Sequence, residues 1–140
     1  MRDFRGKNKE KNIWFFGWFC GADCTDDVEF ESELVEKAQI IDNKFLYWHE
    51  VDPETVGQGT GMNDKHRHEI YDGDILRFCY PELNIPPTVG KVYYSTKDGG
   101  WMISYPGKKF GPDVLDEETA ETSEIVGNIT DNPELMDKKV

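Results

Sequence analysis

Hydrophobic and polar positions along this chain change in short runs, and most of these runs fit a strand better than a helix. Residues 13–19 are aromatic at positions that would face both sides of a sheet, which predicts a strand buried on both faces. Residues 44–51 form a second aromatic run. We expect that strand to end at Asp52-Pro53, because proline has no N–H to donate to a ladder.

The middle of the chain predicts four strands, joined in two pairs by short turns. Residues 69–78 read as strand, turn and strand, with the turn at Asp72-Gly73. Residues 88–105 repeat this pattern around Asp98-Gly99-Gly100, which is a strong hairpin signal between two alternating apolar runs. Residues 101–105 are therefore predicted to form the return strand of that hairpin.

The last quarter of the chain predicts short helical pieces around one further strand. Residues 113–122 are acidic and suit a turn or two of helix, and residues 124–129 suit a strand. Asn132 is placed to cap a short helix that begins at Pro133. The periodicity of residues 20–36 is mixed and leaves strand or helix open. Six strands in all predict a mainly β fold, either a partial barrel or two small β-sheets with short helical turns.

Composition narrows the class of protein. The chain has 140 residues, with 16 Lys and Arg against 28 Asp and Glu, and a formal net charge of −12. That length suits a single domain over residues 1–140. Direct binding of nucleic acid is not expected, because phosphate backbones require a basic face. No apolar run approaches the roughly 18 residues of a membrane span and the start has no signal-peptide core, so we expect a cytoplasmic protein without membrane contact.

The negative charge is unevenly distributed. Residues 1–12 hold five bases and two acids, which leaves 11 bases and 26 acids for the other 128 residues. The start is therefore +3 and the rest is −15, with acidic stretches at 23–36 and 113–124. A basic arm of this kind is most often a solvated hairpin, whereas the acidic stretches could imitate an array of phosphates.

A zinc site can be drawn from two cysteines and two histidines. Cys20 and Cys24 have a spacing within the loose range for zinc ligands, but His66 and His68 are closer together than the usual second pair. Surface histidines in a polar turn are the commoner explanation, and no metal or other cofactor is predicted. Cys79 reads as a small buried hydrophobe.

Four carboxylates could form an acidic site, and they could equally serve the backbone. Asp52, Glu54, Asp72 and Asp74 would bind a metal or act as an acid and base only if the fold brings them together. Capping of backbone N–H groups in turns is the simpler role for Asp52 and Asp72. We therefore predict no catalytic residues.

Two other patterns, the pair His49-Glu50 and the glycine-rich run that follows, do not indicate a functional site. His49 and Glu50 are adjacent on a strand, so they should point to opposite faces and cannot serve one site. Gly57, Gly59 and Gly61 suggest a loop with tight turns, with Gly57, Gly61 and Gly73 as candidates for positive φ. No Lys-Ser/Thr pair follows that loop, so it does not match a phosphate-binding loop.

Three blocks of sequence occur in a recognisable order. The first joins Phe4-Arg5 to Trp14-Phe15-Phe16-Gly17. The longest runs from Val51-Asp52-Pro53-Glu54 to Glu69-Ile70-Tyr71-Asp72-Gly73-Asp74-Ile75. The third is Ile125-Val126-Gly127-Asn128-Ile129 with Asn132-Pro133-Glu134-Leu135. Together they span nearly the whole chain and resemble the YopX family of small phage-encoded and prophage-encoded proteins.

Three departures from that family are visible. Gly59 stands where relatives usually have an aromatic residue. His66, Arg67 and His68 replace a turn that is typically Asn-Gly followed by Lys. Residues 20–43 match nothing in the family, which leaves Cys20 and Cys24 without support from it.

The resemblance implies a β-rich phage or prophage accessory protein whose molecular function is unassigned. We expect a non-enzymatic binding or assembly module in the host cytoplasm, with a homo-oligomer or a host or phage protein as partner. The alternative is an acidic nucleic-acid mimic that inhibits a DNA-binding host protein. A third possibility, a module that stacks bases on Trp14, Trp18 and Trp48, conflicts with the need for these side chains in the core of a short chain.

Overall fold

The computed structural model describes residues 3–20, 38–42, 44, 46–107 and 111–137. Strands dominate this part of the chain. They are β1 Phe4–Asn8, β2 Ile13–Cys20, β3 Ala38–Asp42, β4 Trp48–Val51, β5 Gly57–Asn63, β6 Glu69–Tyr71, β7 Asp74–Tyr80, β8 Ile85–Ser95, β9 Gly100–Ser104, β10 Asp113–Val114 and β11 Glu124–Asn128. One α-helix, α1 Glu117–Thr122, and short 3-10 turns at Pro53–Thr55, Pro81–Leu83 and Pro133–Met136 complete the described elements.

The strands form two antiparallel sheets. One has the order β4-β3-β2-β1-β5-β6 and the other β10-β9-β8-β7-β11, and neither closes into a barrel within the described residues. The predicted mainly β class with two small sheets and short helical turns is therefore confirmed. Among the described residues, no helix is long and apolar enough to cross a membrane.

The chain divides into two compact units, residues 1–59 and residues 60–140, which we call unit 1 and unit 2. Strand β5 begins in unit 1 and ends in unit 2. The single domain predicted over residues 1–140 stays a prediction.

Unit 1 is built on the hairpin of β1 and β2, which pairs Phe4 with Gly17 and Asn8 with Ile13. This confirms that the basic start of the chain folds as a hairpin. Strands β3 and β4 extend the sheet beyond β2. Alternate residues of these strands point to the same side of the sheet, and on one side they form a core. The core of that face is Ala38, Ile40 and Val51, with Phe4, Phe15 and Val56 packed against it.

The turn after β4 is fixed to β1. The Asp52 N–H donates to the Lys7 carbonyl at 2.8 Å, and the Lys7 N–H donates to the Thr55 hydroxyl at 2.7 Å. Nearby, a Cβ at Gly6 would lie only 2.7 Å from the Cγ2 atom of Val51. Glycine at position 6 of β1 therefore leaves the space that the Val51 side chain of β4 occupies.

Two expectations for unit 1 are wrong. The run at 13–19 is buried on one face only, because β2 lies inside a single sheet and only its inner face meets the core. The second aromatic run forms a strand only from Trp48. Leu46 has a left-handed φ of 59°, and its N–H donates to the Asp42 carbonyl at 2.7 Å, so the chain turns there between β3 and β4. Strand β3 was not predicted.

Unit 2 contains the larger core. Its buried members are Ile70, Leu76, Phe78, Val92, Trp101, Ile103, Leu115 and Ala120. The predicted hairpin of β8 and β9 is confirmed, and so is the turn at Asp72-Gly73, although β6 and β7 on either side of that turn belong to different sheets. Gly73 takes the left-handed φ of 89° that the turn before β7 requires, and β8 pairs with β9 from Lys91↔Ser104 to Ser95↔Gly100.

The C-terminal elements of unit 2 follow the prediction except at one cap. Helix α1 lies within the expected residues 113–122, and the Asp116 carboxylate accepts the Thr119 N–H at 2.7 Å. The 3-10 turn begins at Pro133 as predicted. The Asn132 side chain does not cap that turn. Its Oδ1 accepts the Asn128 N–H at 3.3 Å instead, since Asn132 packs against Gly127 of β11.

Candidate binding surface

Three of the four candidate zinc ligands lie in the described residues, and these three belong to two different units. Cys20 is a buried residue of β2 in unit 1, and Cys24 lies outside the described residues. His66 and His68 belong to unit 2, where their ring centroids are 6.3 Å apart. His66 Nε2 lies 3.7 Å from the Glu124 carboxylate. In the described ranges, no group of three or more His, Cys, Asp or Glu side chains is arranged to hold a metal ion. Cys79, which was expected to be buried, is exposed.

The candidate carboxylates Asp52, Glu54 and Asp74 bind local partners. Asp52 accepts the backbone N–H of Lys9 at 2.7 Å, and Glu54 forms an ion pair of 2.6 Å with the Lys9 ammonium. That hydrogen bond raises the pKa of Lys9 and lowers the pKa of Glu54. Asp74 is buried in unit 2 and accepts the Tyr71 N–H at 2.7 Å. The contacts of Asp52 and Asp74 join backbone N–H groups in turns, which is the simpler role that the sequence predicts for Asp52.

The adjacent His49 and Glu50 point apart, as strand geometry predicts. His49 is half-buried on the inner face, where its ring stacks on Phe15 with centroids 4.0 Å apart and planes 8° from parallel. Glu50 is exposed. The pair therefore does not form a base and its orienting carboxylate.

The glycine-rich segment is a strand and not a loop. Gly57 pairs with Arg5 of β1 and has no positive φ, which corrects the prediction for that residue. Gly61 does take a left-handed φ of 79°, as predicted. The glycines suit β5 because small residues allow close approach of neighbouring backbones.

Asp64 is the polar residue that the sequence did not single out. Only 3% of its surface is exposed. Its Oδ1 accepts the N–H groups of His66 and His68 at 2.9 Å each, and its Oδ2 accepts the Ile125 N–H at 3.1 Å. Burial opposes the charge of this carboxylate, but the three backbone donors outweigh it and lower the pKa of Asp64. A carboxylate that organises its own turn is recognisable from sequence, but the bond to Ile125 is not.

The departure at 66–68 lies in the turn that Asp64 organises. Arg67 has a left-handed φ of 67°, at the position where relatives typically have glycine. We expect Arg67→Gly to stabilise unit 2 by up to about 1 kcal/mol, because a side chain with a Cβ is strained in that conformation. Urea denaturation measures the difference. Arg67→Ala keeps the Cβ and should leave stability unchanged, and an equal gain for both variants would contradict the explanation.

The outward side of the β2–β3–β4 sheet is aromatic and open. Residues directly opposite on antiparallel strands share a face, and the register pairs Trp18 with Ile41 and Ile41 with Trp48. Phe16 lies two residues before Trp18 and so shares this face. The exposed fractions of Phe16, Trp18 and Trp48 are 49%, 39% and 54%. We call Phe16, Trp18, Ile41 and Trp48 the outer aromatic face.

A cationic border adjoins this face. Arg5 of β1 lies opposite Phe16, is 7% exposed, and holds its guanidinium carbon 4.8 Å from the centroid of the Trp14 ring. Such a contact is a cation–π interaction. Lys7 is the partner of Trp14 in the same hairpin. The argument that Trp18 and Trp48 are needed in the core is therefore wrong, because the core of unit 1 is built from the opposite face.

This arrangement suits contact better than chemistry. Tryptophan and phenylalanine are enriched where proteins bind each other, and a contiguous exposed apolar patch with a polar border is typical of an interaction site. Sequence alone does not indicate which aromatic residues are exposed, since the run at 13–19 is aromatic at both alternating sets of positions. The strand register supplied that information.

Known proteins share this fold. The family model described as YopX protein matches residues 3–137. The crystal structure of protein EF1440 from Enterococcus faecalis is similar with a TM-score of 0.55 and 18% sequence identity, over 98% of this chain and 99% of that chain. At that identity the likeness concerns the fold alone. No curated protein matched the sequence. Because the family model covers nearly all of it, the chain belongs to the YopX family.

Proposed function

We propose that this protein is a non-enzymatic assembly module of a phage or prophage, acting in the host cytoplasm, and that its outer aromatic face binds a second copy of the chain. The observation that carries the proposal is the register of Trp18, Ile41 and Trp48, which places two half-exposed indoles side by side across three strands. Exposed tryptophans in such a position are the residues that most often dominate an interface.

Charge supports a second copy as the occupant. Residues 1–12, which include β1 of the hairpin beside the outer aromatic face, have a formal charge of +3, whereas the chain beyond residue 12 has a formal charge of −15. Opposite charges at separate places on one chain attract between copies and steer their encounter. The apolar face then supplies contact area, and the charges supply orientation.

The test is the mass of the protein in solution. Light scattering coupled to size exclusion should give a mass above the 16.2 kDa of one chain, and the mass should fall on dilution. The double variant Trp18→Ser/Trp48→Ser should shift to the monomer. A dominant interface residue is worth about 2 kcal/mol, so each substitution should weaken association by about thirtyfold.

Leu83→Ser is the matched control, because Leu83 is 60% exposed in unit 2 and its loss removes a similar apolar surface. It should associate like the wild type. A wild type that is monomeric at every concentration would overturn the proposal. Quenching of tryptophan fluorescence by an oligothymidylate at low salt would assign the face to base stacking and would also contradict it.

Mimicry of nucleic acid is a second candidate, favoured by the acids of unit 2. Residues 111–137 hold nine acids and no base, and Asp113, Glu117, Glu118 and Glu121 are exposed. The other acidic stretch, 23–36, lies outside the described residues. A mimic should bind a basic DNA-binding host protein with an affinity that falls as salt rises. Affinity that stays constant between low and high salt would exclude it.

A further inference from the structure

A cavity of about 730 Å³ opens on unit 2 beside the short strand β10. Its walls include the rings of Phe78, Tyr80 and Tyr105, and its rim includes Asp113, Val114 and Thr119. Cavities of roughly 300–1,000 Å³ with apolar walls and few polar groups are typical of sites for small ligands. None of the residues of the outer aromatic face lines it.

Tyr105 is held in place at this cavity from two directions. Its ring lies against Gly90, where an added Cβ would come within 3.2 Å of two ring carbons. Its hydroxyl donates to the Oδ2 atom of Asp113 at 2.9 Å. Burial, together with Asp113 and Tyr80, raises the pKa of Tyr105 to about 12. The phenol therefore stays protonated at neutral pH and orients the carboxylate.

The electrostatics of the cavity favour a cation. The Oδ1 atom of Asp113 has no hydrogen-bond or ion-pair partner in the part of the chain that the structure describes. Among the described residues that line the cavity, Asp113 is the only charged one. The faces of the Phe78, Tyr80 and Tyr105 rings are also electronegative, so they attract a cation and repel an anion.

We propose that this cavity binds a small organic cation, with its ammonium or guanidinium group at Asp113 and its apolar body against Phe78 and Tyr80. A carboxylate with one oxygen already fixed by a phenol offers the other oxygen to a single N–H donor. The aromatic walls take the hydrocarbon part and add cation–π attraction. This site is independent of the assembly role proposed above.

Phenethylammonium is a suitable probe, and 2-phenylethanol is its uncharged counterpart of similar shape. Titration followed by amide chemical shifts should give saturable changes at Val114 and Thr119 with the ammonium. The alcohol should bind more weakly by up to about fivefold, since an ion pair at a solvent-exposed carboxylate contributes up to about that factor. Equal binding of the two probes, or no saturable change with either, would overturn the proposal.

Substitutions test whether the charge of Asp113 is the one that binds the ammonium group. Asp113→Asn should weaken phenethylammonium by about fivefold and leave 2-phenylethanol unchanged. Tyr105→Phe keeps the ring and frees the carboxylate, so its effect on the ammonium should be smaller. Glu118→Gln is the matched control, because it removes the same charge from α1 without lining the cavity. If it weakens binding as much as Asp113→Asn does, the attraction is general and the site is not specific.

Lys108 and Lys109 lie nearby in sequence but outside the described residues. The titration is therefore repeated on Lys108→Ala/Lys109→Ala. Similar saturation in wild type and double variant supports an external ligand. Saturation in the double variant alone would mean that the chain's own lysines occupy the cavity, and would contradict the proposal.

Discussion

Replacing Asp64 with alanine is expected to destabilise unit 2 by about 2–3 kcal/mol, because three backbone N–H groups lose their acceptor in a buried place. The loss should be measurable by urea denaturation. Hydrogen exchange should localise it, since the Ile125 amide loses its bond to Oδ2 directly. Faster exchange at Ile125, His66 and His68 is the expected pattern.

Two comparisons make this result specific. Asp64→Asn keeps an acceptor for the two histidine N–H groups but places an amide NH₂ opposite the Ile125 N–H, so its loss should be intermediate. Asp116→Ala removes an exposed carboxylate that accepts only the Thr119 N–H, so its loss should be smaller. If Asp116→Ala costs as much stability as Asp64→Ala, the role assigned to Asp64 is wrong.

The contribution of Asp64 should also depend on pH. Its pKa is lowered in the folded state from the ordinary 3.8, so the folded state favours the ionised carboxylate. The resulting stability is fully present above the ordinary pKa and is lost as the pH falls through the lower, folded-state pKa. The difference in stability between wild type and Asp64→Asn should therefore be constant near neutral pH and should shrink below about pH 4.

Replacing Gly17 with alanine is expected to disrupt unit 1, with a loss of about 3 kcal/mol or more. An added Cβ would lie 2.0 Å from the carbonyl oxygen of Ile41 on the neighbouring strand. This atom belongs to the backbone, so no side-chain rotation can relieve the clash, and β2 must separate from β3. Because Trp14, Trp18 and Trp48 all lie in unit 1, tryptophan fluorescence during denaturation reports mainly on this unit.

Gly100→Ala is the matched control for this substitution. A Cβ at Gly100, the first residue of β9, meets nothing within 4 Å, so the change in stability should stay within about 0.5 kcal/mol. A wild-type-like fluorescence transition for Gly17→Ala would show that the two strands can separate without cost, and would contradict the tight pairing of Gly17 with Asp42.

Local sequence was sufficient for the hairpin around Gly99, because the residues that fix the turn also fix the pairing of β8 with β9. The turn at Gly73 was predicted as well, but it joins strands of two different sheets, which local sequence does not indicate. The same reasoning separated His49 from Glu50, since alternation along a strand is a local property. It failed for β3 and for the start of β4, where Leu46 adopts a left-handed conformation that no local signal indicates.

Burial was predicted less well than secondary structure. The run at 13–19 looks the same from both sides, so composition could not distinguish Phe15, which meets the core, from Trp18, which is open. Asp64 was missed for a related reason. One of the three N–H groups that it accepts belongs to Ile125, which lies 61 residues away in the chain.

The sequence by itself determined the class of fold, the YopX family, the β8–β9 hairpin of unit 2 and the uneven distribution of the net charge of −12. These are properties of composition, order and short-range backbone preference. Only the tertiary structure decided which aromatic face is open, which carboxylate holds a turn, and that Tyr105 and Asp113 border one cavity. Each of these depends on the register and packing of strands, because a side chain is buried or exposed by what lies opposite it and not by its own type.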